Sequence, residues 1–325
     1  DGACGTNLGG PRGEPARHPP PSPPAPPPRA GGAGSTGKGG RTPEPFFLFL
    51  SFNTPHAGGV GTVAETGVPV PSEVPYRARK EWPQVEREYA AAVTAQDAHV
   101  GHVLRELDRL GLANDTVVFF SSDNGAHAEG GHDYRFFGSS GPHRGFKRSL
   151  HEGGVRVPLM VRWPGRVPAG EVSGQQWAFY DFLQTVAEIA EVPGESLPPG
   201  LDGYSALETL LGGTQPQRGF IYTEYCQPNE APGGGFGPEK YFGQAVRVGD
   251  WKAVCVGPTP NETVGVGTCG GGEPWVYNLS KDPHEDLDVG WRVPEVKRAA
   301  LGIMRREHTP FHYADYCRGL EGKAS

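Results

Sequence analysis

Residues Thr116–His127 read TVVFFSSDNGAH, and the fold class turns on them. Val117–Phe120 is a β-branched and aromatic run, closed by Ser121-Ser122-Asp123-Asn124-Gly125. An apolar run bounded by turn residues predicts a buried strand. In open α/β sheets, ligands sit beyond the carboxyl ends of such strands. Asp123 and Asn124 would stand there as a carboxylate and an amide oxygen, donors suited to a hard cation. Asp-Asn-Gly is equally a tight-turn sequence, so the neighbouring stretches decide between the two.

On the N-terminal side, Tyr89, Val93, Val100, Val103, Leu104, Leu107 and Leu110 recur mostly at three- and four-residue steps, which predicts a helix from Trp82 to Leu110. Gly111 is its stop signal. Helix, short link and strand make the unit of a parallel α/β sheet. Phe46–Phe52 (FFLFLSF) is a nearly continuous apolar run and predicts a strand covered on both faces. The loop behind it contains Gly59-Val60-Gly61-Thr62-Val63-Ala64, which mimics a dinucleotide fingerprint. Pro69, Pro71 and Pro75 forbid the long helix that fingerprint must open, so the match is rejected.

On the C-terminal side, Ala128–Glu152 is irregular and rich in Gly, His, Arg and Ser. Structureless loops of that length in compact domains are functional or disordered. Val155–Trp163 predicts a strand, with Pro158 placing it at an edge or a strand start. Ala178–Val192 predicts a helix ended by Pro193-Gly194. Phe220–Tyr225 and Trp275–Leu279 predict strands, and Gly249-Asp250 between two apolar runs predicts a hairpin. Pro294–His308 predicts a final helix. The expected fold is α/β, a mostly parallel sheet flanked by helices, with a smaller C-terminal antiparallel sheet plus a helix. The expected organisation is a disordered Pro/Gly-rich tail over 1–44, a main domain over 45–215 and an antiparallel subdomain over 216–325.

Composition narrows the function. The chain has 325 residues, with Gly 50 and Pro 34, and a formal net charge of −7. That charge argues against a nucleic-acid partner, which needs a basic surface. No apolar run approaches the length of a membrane-spanning helix. None of the five cysteines forms a Cys-x-x-Cys pair, which argues against a zinc ribbon or thioredoxin-like site. Cys226, Cys255, Cys269 and Cys317 fall in the last third, as two disulfides or as buried thiols. Asn114, Asn261 and Asn278 open glycosylation triplets, and with the cysteines they tilt the chain toward a secretory route, lysosomal or extracellular. His-Glu-x-x-His and Gly-x-Ser-x-Gly are both absent, which removes a zincin and a serine hydrolase elbow.

Four stretches then coincide in order with one family: Pro45–His56 (PFFLFLSFNTPH), Tyr89–His127, Gly145–Gly165 (GFKRSLHEGGVRVPLMVRWPG) and Leu201–Leu211. The sequence resembles the sulfatases of the alkaline-phosphatase-like superfamily over most of Pro45–Pro310. The Lys-x-x-x-x-Glu-Gly-Gly-x-Arg-x-Pro string followed by Trp-Pro-Gly is the specific part. The resemblance implies a sulfuric ester hydrolase, a bound divalent cation (Ca2+ before Mg2+) and a sulfated small molecule or glycan as substrate. It implies Asp123 and Asn124 as metal ligands, and Lys147 and His56 as catalytic residues that contact the sulfate. A cation and a lysine aimed at an anionic ester stabilise the charge that develops as its bond breaks. A histidine is a suitable proton donor near neutral pH. His127, His132 and His143 lie in the same loop region and read as structural before functional.

The family's nucleophile is a formylglycine made from Cys or Ser in a Cys/Ser-x-Pro-x-Arg motif, and no such motif precedes Pro45, where Ser22-Pro23-Pro24-Ala25-Pro26 comes nearest but lacks the arginine. The early Asp-Asp pair that completes the metal shell is absent too. The expectation is therefore an incomplete chain, inactive alone. Two alternatives stay open: a non-catalytic module binding sulfated glycans or anions, and a related phosphoester or phosphonate hydrolase.

Overall fold

A computed structural model describes residues 44–58, 67–70, 72, 74–230, 236–257, 269 and 272–308. The side chains of residues 226–230 and 236–241 are outside that description. The Gly59–Ala64 motif, Cys4, Cys317, Asn261 and the tail up to residue 43 also lie outside it. The chain divides into two compact units, Asp1–Ser51 and Phe52–Ser325.

In the first unit, residues 44–51 carry no regular secondary structure, and Phe46, Phe47, Leu48, Phe49 and Leu50 are exposed. The covered strand expected at FFLFLSF is therefore corrected. Apolar and aromatic residues favour a pleated surface, but a strand forms only on a hydrogen-bonded neighbour.

The second unit opens with helix α1, Gln84–Arg109, which starts after Pro83 and stops at Gly111. Gly111 takes φ 69°, a left-handed position that glycine occupies without a Cβ clash. The helix buries Glu86, Ala91 and Ala92, while Val93 and Leu110, expected on its apolar face, are exposed. Strand β1, Val118–Ser121, follows. After a long irregular stretch come the single turn α2, Glu152–Val155, and strand β2, Leu159–Arg162. Pro158 does fall at the strand start.

β1 and β2 pair antiparallel, from Val118 opposite Arg162 to Ser121 opposite Leu159. The mostly parallel sheet expected from the helix–strand alternation is not seen among the described residues, where both sheets are antiparallel. The long segment between the two strands lets the chain reverse, so β2 returns beside β1 without a crossover helix.

The predicted helix at Ala178–Val192 is a 3-10 turn, Phe179–Asp181, leading into α3, Phe182–Ile189. The short α4, Leu207–Leu210, comes next. The C-terminal part forms as expected. Strands β3 (Ile221–Glu230), β4 (Phe236–Val248), β5 (Trp251–Gly257) and β6 (Trp275–Asn278) make an antiparallel sheet in that order. Gly249-Asp250 closes the β4–β5 hairpin, with Val248 opposite Trp251 and Gly249 at φ 55°. Helix α5, Pro294–Glu307, covers the sheet, and Ala300 and Met304 pack with Val246, Ala253, Cys255 and Val276. Cys255 is disulfide-bonded to Cys269.

Candidate anion-binding site

β1 delivers its carboxyl end to a knot of backbone. Ser122 Oγ donates to the Asn124 carbonyl at 2.8 Å, and Asn124 Nδ2 donates to the Gly125 carbonyl at 3.1 Å. Gly125 N–H then donates to the Gly154 carbonyl at 3.0 Å, and Lys147 N–H to the Ala126 carbonyl at 2.7 Å. Gly153 N–H donates to the Arg144 carbonyl at 2.8 Å. The Glu-Gly-Gly string exists because of this packing. A Cβ on Gly153 would lie 2.4 Å from the Gly145 carbonyl oxygen, and one on Gly154 2.1 Å from that of Ser149. Only glycine lets three backbone segments approach so closely.

Two buried carboxylates tie this knot to the C-terminal sheet. Glu152 accepts from Lys252 Nζ at 2.8 Å and from Arg247 Nη1 at 2.8 Å. Its burial raises its pKa, but the Lys252 and Arg247 charges outweigh that and hold it below the ordinary value. Glu285 accepts from His151 Nδ1 at 3.0 Å and from the Glu152 backbone N–H at 2.7 Å. Its own carbonyl accepts from Arg144 Nη1 at 2.9 Å. Both ends of the Arg144–Glu152 loop are therefore anchored.

Lys147 sits inside that anchored loop. Its Nζ lies 2.9 Å from His56 Nε2 and 3.1 Å from Glu129 Oε2. His56 Nδ1 donates to the Ala57 carbonyl at 2.6 Å, which leaves Nε2 to accept from the ammonium. Glu129 Oε1 pairs with Arg148 Nη1 at 2.6 Å, and its Oε2 lies 3.7 Å from His56 Nε2. Burial raises the Glu129 pKa, but its bonds to Lys147 and Arg148 win and hold the carboxylate low. Behind them, His127 Nδ1 accepts from Glu129 N–H at 3.1 Å and Nε2 donates to the Pro55 carbonyl at 3.0 Å. Burial pushes the His127 pKa down, and that donor–acceptor pattern fits the neutral ring.

The structure thus joins His56 and Lys147 directly. Asp123 and Asn124 lie three and two positions before Ala126, whose carbonyl accepts from the Lys147 N–H. Asp123 is exposed and makes no side-chain hydrogen bond or ion pair among the described residues. The two offer one carboxylate and one amide oxygen, against the six to eight oxygens calcium takes. No group of three His, Cys, Asp or Glu suited to a metal occurs among the described residues. The donor set does not make a metal site by itself, so no chemical step is derived through a metal. His132 Nδ1 bonds buried Glu86 at 2.7 Å, and His143 Nδ1 donates to the Pro283 carbonyl at 3.2 Å, as structural histidines do.

Sequence reasoning missed Glu129, Arg148 and Glu285 as members of this region. Glu152 was noticed only as a letter in the string; its role depends on bases about a hundred residues away.

A lysine from the anchored loop and a histidine 91 residues earlier in the chain thus meet around one carboxylate. Residues 38–192 match the Sulfatase family model. The chain is 37% identical over 186 residues to steryl-sulfatase of Rattus norvegicus, covering 56% of this chain and 29% of that protein. It is 30% identical over 243 residues to arylsulfatase G of Rattus norvegicus, covering 69% of this chain and 42% of that protein. The chain thus spans less than half the length of these curated relatives. The crystal structure of Ps i-CgsB matches with TM-score 0.60 at 23% identity, over 81% of this chain and 49% of that one, a likeness of fold. A second structure of that protein, in complex with k-i-k-neocarrahexaose, matches with TM-score 0.51 at 22% identity, over 75% and 49% of the chains. Over residues 38–192 the chain is sulfatase-like, as the family model and these relatives show.

Proposed function

We propose that this chain carries the sulfate-holding half of the active site of a sulfuric ester hydrolase. The observation that carries the reading is Lys147 Nζ, fixed between His56 Nε2 and the Glu129 carboxylate. In this reading Lys147 donates to sulfate oxygens and neutralises charge as the ester bond breaks. His56 Nε2, which accepts from the Lys147 ammonium in the resting site, would first take up a proton and then hand it to the departing alkoxide. Asp123 and Asn124 would supply two of the oxygens of a divalent cation, Ca2+ in preference to Mg2+, which prefers to keep its waters, and the described residues do not complete its shell. The sulfatase family uses a divalent metal and a formylglycine. The Cys/Ser-x-Pro-x-Arg pattern occurs in this chain only as Ser140-Gly141-Pro142-His143-Arg144, after the Asp123-Asn124 pair rather than before Pro45, and Ser140 Oγ donates to the Gly145 carbonyl at 2.9 Å, so in this reading the nucleophile comes from outside these 325 residues.

A sulfated small molecule or glycan is the proposed substrate class, supported by the oligosaccharide bound to Ps i-CgsB. A secretory route is supported by the Cys255–Cys269 disulfide, since such bonds persist in oxidising compartments. Among the described residues no helix is long and apolar enough to cross a membrane.

The missing nucleophile favours a second reading, a non-catalytic module that binds sulfated glycans. Two measurements on the purified chain test both. Calorimetry should show binding of a sulfated monosaccharide that is lost in Lys147→Ala and absent for the unsulfated sugar. Equal binding of the unsulfated sugar would defeat both readings. Turnover of 4-nitrophenyl sulfate well above background, with calcium present, would defeat the claim that the nucleophile is missing. Turnover gained on supplying the absent segment would decide for the hydrolase.

A further inference from the structure

We propose that Arg148 is a second anion-binding side chain of this site, and that the Glu129 carboxylate is an internal anion which an incoming sulfate displaces. The inference rests on the reading of Lys147 and His56 as an anion site. It adds two residues and an order of events.

Three nitrogen groups converge on one carboxylate. Glu129 Oε2 lies 3.1 Å from Lys147 Nζ and 3.7 Å from His56 Nε2, while Oε1 lies 2.6 Å from Arg148 Nη1. A carboxylate offers two oxygens to this cradle, and a sulfate monoester offers three with the same single negative charge. Lysine supplies a point charge and arginine a planar fork, a combination that fits a tetrahedral oxyanion. Glu129 is the group now filling that position.

The backbone at Arg148 is the independent observation. Adjacent side chains in extended chain point to opposite sides. Lys147 and Arg148 nevertheless reach the same carboxylate, and Arg148 does so at φ 75°. That is the left-handed region, where a residue with a Cβ is strained. Such strain persists only where the surroundings impose it, and it concentrates at ligand clamps. Here the Lys147–Ala126 bond and the Ser149 N–H to Phe146 carbonyl bond impose it from both sides.

Displacement needs only a side-chain rotation. Gly130, next to Glu129, packs against Gly67, where an added Cβ would lie 2.6 Å from the Gly67 carbonyl oxygen. The backbone is therefore held, while the Glu129 side chain is 24% exposed and can swing into water. With both anions present, Glu129 and sulfate would repel each other. The sulfate affinity of the native chain is accordingly the difference between two anions competing for one cradle.

The test is calorimetric titration of the whole 325-residue chain with sodium sulfate at constant ionic strength and neutral pH. Glu129→Gln keeps the shape and removes the charge, so sulfate should bind roughly tenfold tighter or more, the scale of one charge-assisted hydrogen bond. In the Glu129→Gln background, Arg148→Gly should weaken sulfate by roughly tenfold. Glycine adopts the left-handed backbone freely, so this variant should melt no lower than its parent. Should Glu129→Gln melt low, Glu129→Ala removes the same charge and is titrated instead. Unchanged sulfate affinity on removing the Glu129 charge overturns the displacement. Unchanged affinity in Arg148→Gly overturns the clamp. If Lys147→Ala in the Glu129→Gln background binds sulfate undiminished, the anion site itself is wrong. Loss in Lys147→Ala with no response at Glu129 or Arg148 would sink this inference alone.

Discussion

Gly125→Ala should damage stability and the site together, and the size of the effect follows from the packing. A Cβ at Gly125 would lie 1.9 Å from the Gly153 carbonyl oxygen and 2.9 Å from Gly154 Cα. Real Cβ atoms do not come within 3.0 Å of a neighbour, so about 1.1 Å must open between two backbones (3.0 less 1.9 Å). Neither partner is a flexible side chain. Overpacking of this kind costs about 1–3 kcal/mol. Stretching the Gly125–Gly154 hydrogen bond adds about 0.5–1.5 kcal/mol. Together they cost about 1.5–4.5 kcal/mol, a melting-point drop of roughly 3–18 °C for a unit of this size. The next residue, Ala126, carries the bond to Lys147, so the ammonium moves with it. A misplacement of ~1 Å costs on the order of 10²-fold where geometry governs, so sulfated ligands should bind at least tenfold more weakly. Differential scanning fluorimetry and calorimetry measure the two effects. Gly174→Ala, where nothing lies within 4 Å of an added Cβ, is the control. Equal melting and binding of the two variants would refute the backbone knot.

Four further outcomes follow from other contacts. Glu152→Ala strips the partner from buried Lys252 and should cost about 3–5 kcal/mol in urea unfolding, whereas a surface pair would cost under about 1. Lowering pH should also destabilise the fold through His127. Burial sets its folded pKa below 6.5, so the unfolded chain binds the extra proton first. That contribution is complete above pH 6.5 and is lost as pH falls through the lower folded value, a loss that melting curves of His127→Asn should not show. Cys255→Ser opens a bridge spanning 14 residues of sequence and should cost about 3 kcal/mol by the same unfolding assay. Lys147→Ala should abolish binding of a sulfated sugar while leaving the melting point nearly unchanged, because its ammonium anchors no core residue.

The C-terminal sheet was legible because its signals are local. Gly249-Asp250 between two apolar runs specifies a hairpin, and both faces of those runs are buried, Val246 and Ala253 on one and Ala245 and Val254 on the other. Helix α1 was legible for the same reason, between Pro83 and Gly111. Two things were not. FFLFLSF has strand composition, but composition does not supply a neighbour to pair with. The direction of β2 relative to β1 is a matter of where the chain returns, which no local pattern encodes. Lys147 and His56 were singled out from separate stretches, Gly145–Gly165 and Pro45–His56, and the structure brings them to 2.9 Å. Glu129 and Arg148 were not, because a carboxylate in an irregular loop and an arginine after a lysine look like solvated side chains until their mutual distance is known. Glu285 lies more than 130 residues from His151 and Glu152, the groups it holds.

The central claim is that His56 and Lys147 hold the sulfate of an anionic ester. The most direct measurement is nuclear magnetic resonance of the chain labelled at histidine and lysine, titrated with a 6-O-sulfated N-acetylglucosamine and with the unsulfated sugar. The account predicts that the His56 ring and Lys147 ε-carbon signals move with the sulfated sugar alone. Signals that stay still at both residues while others move, or that move equally with both sugars, would contradict it.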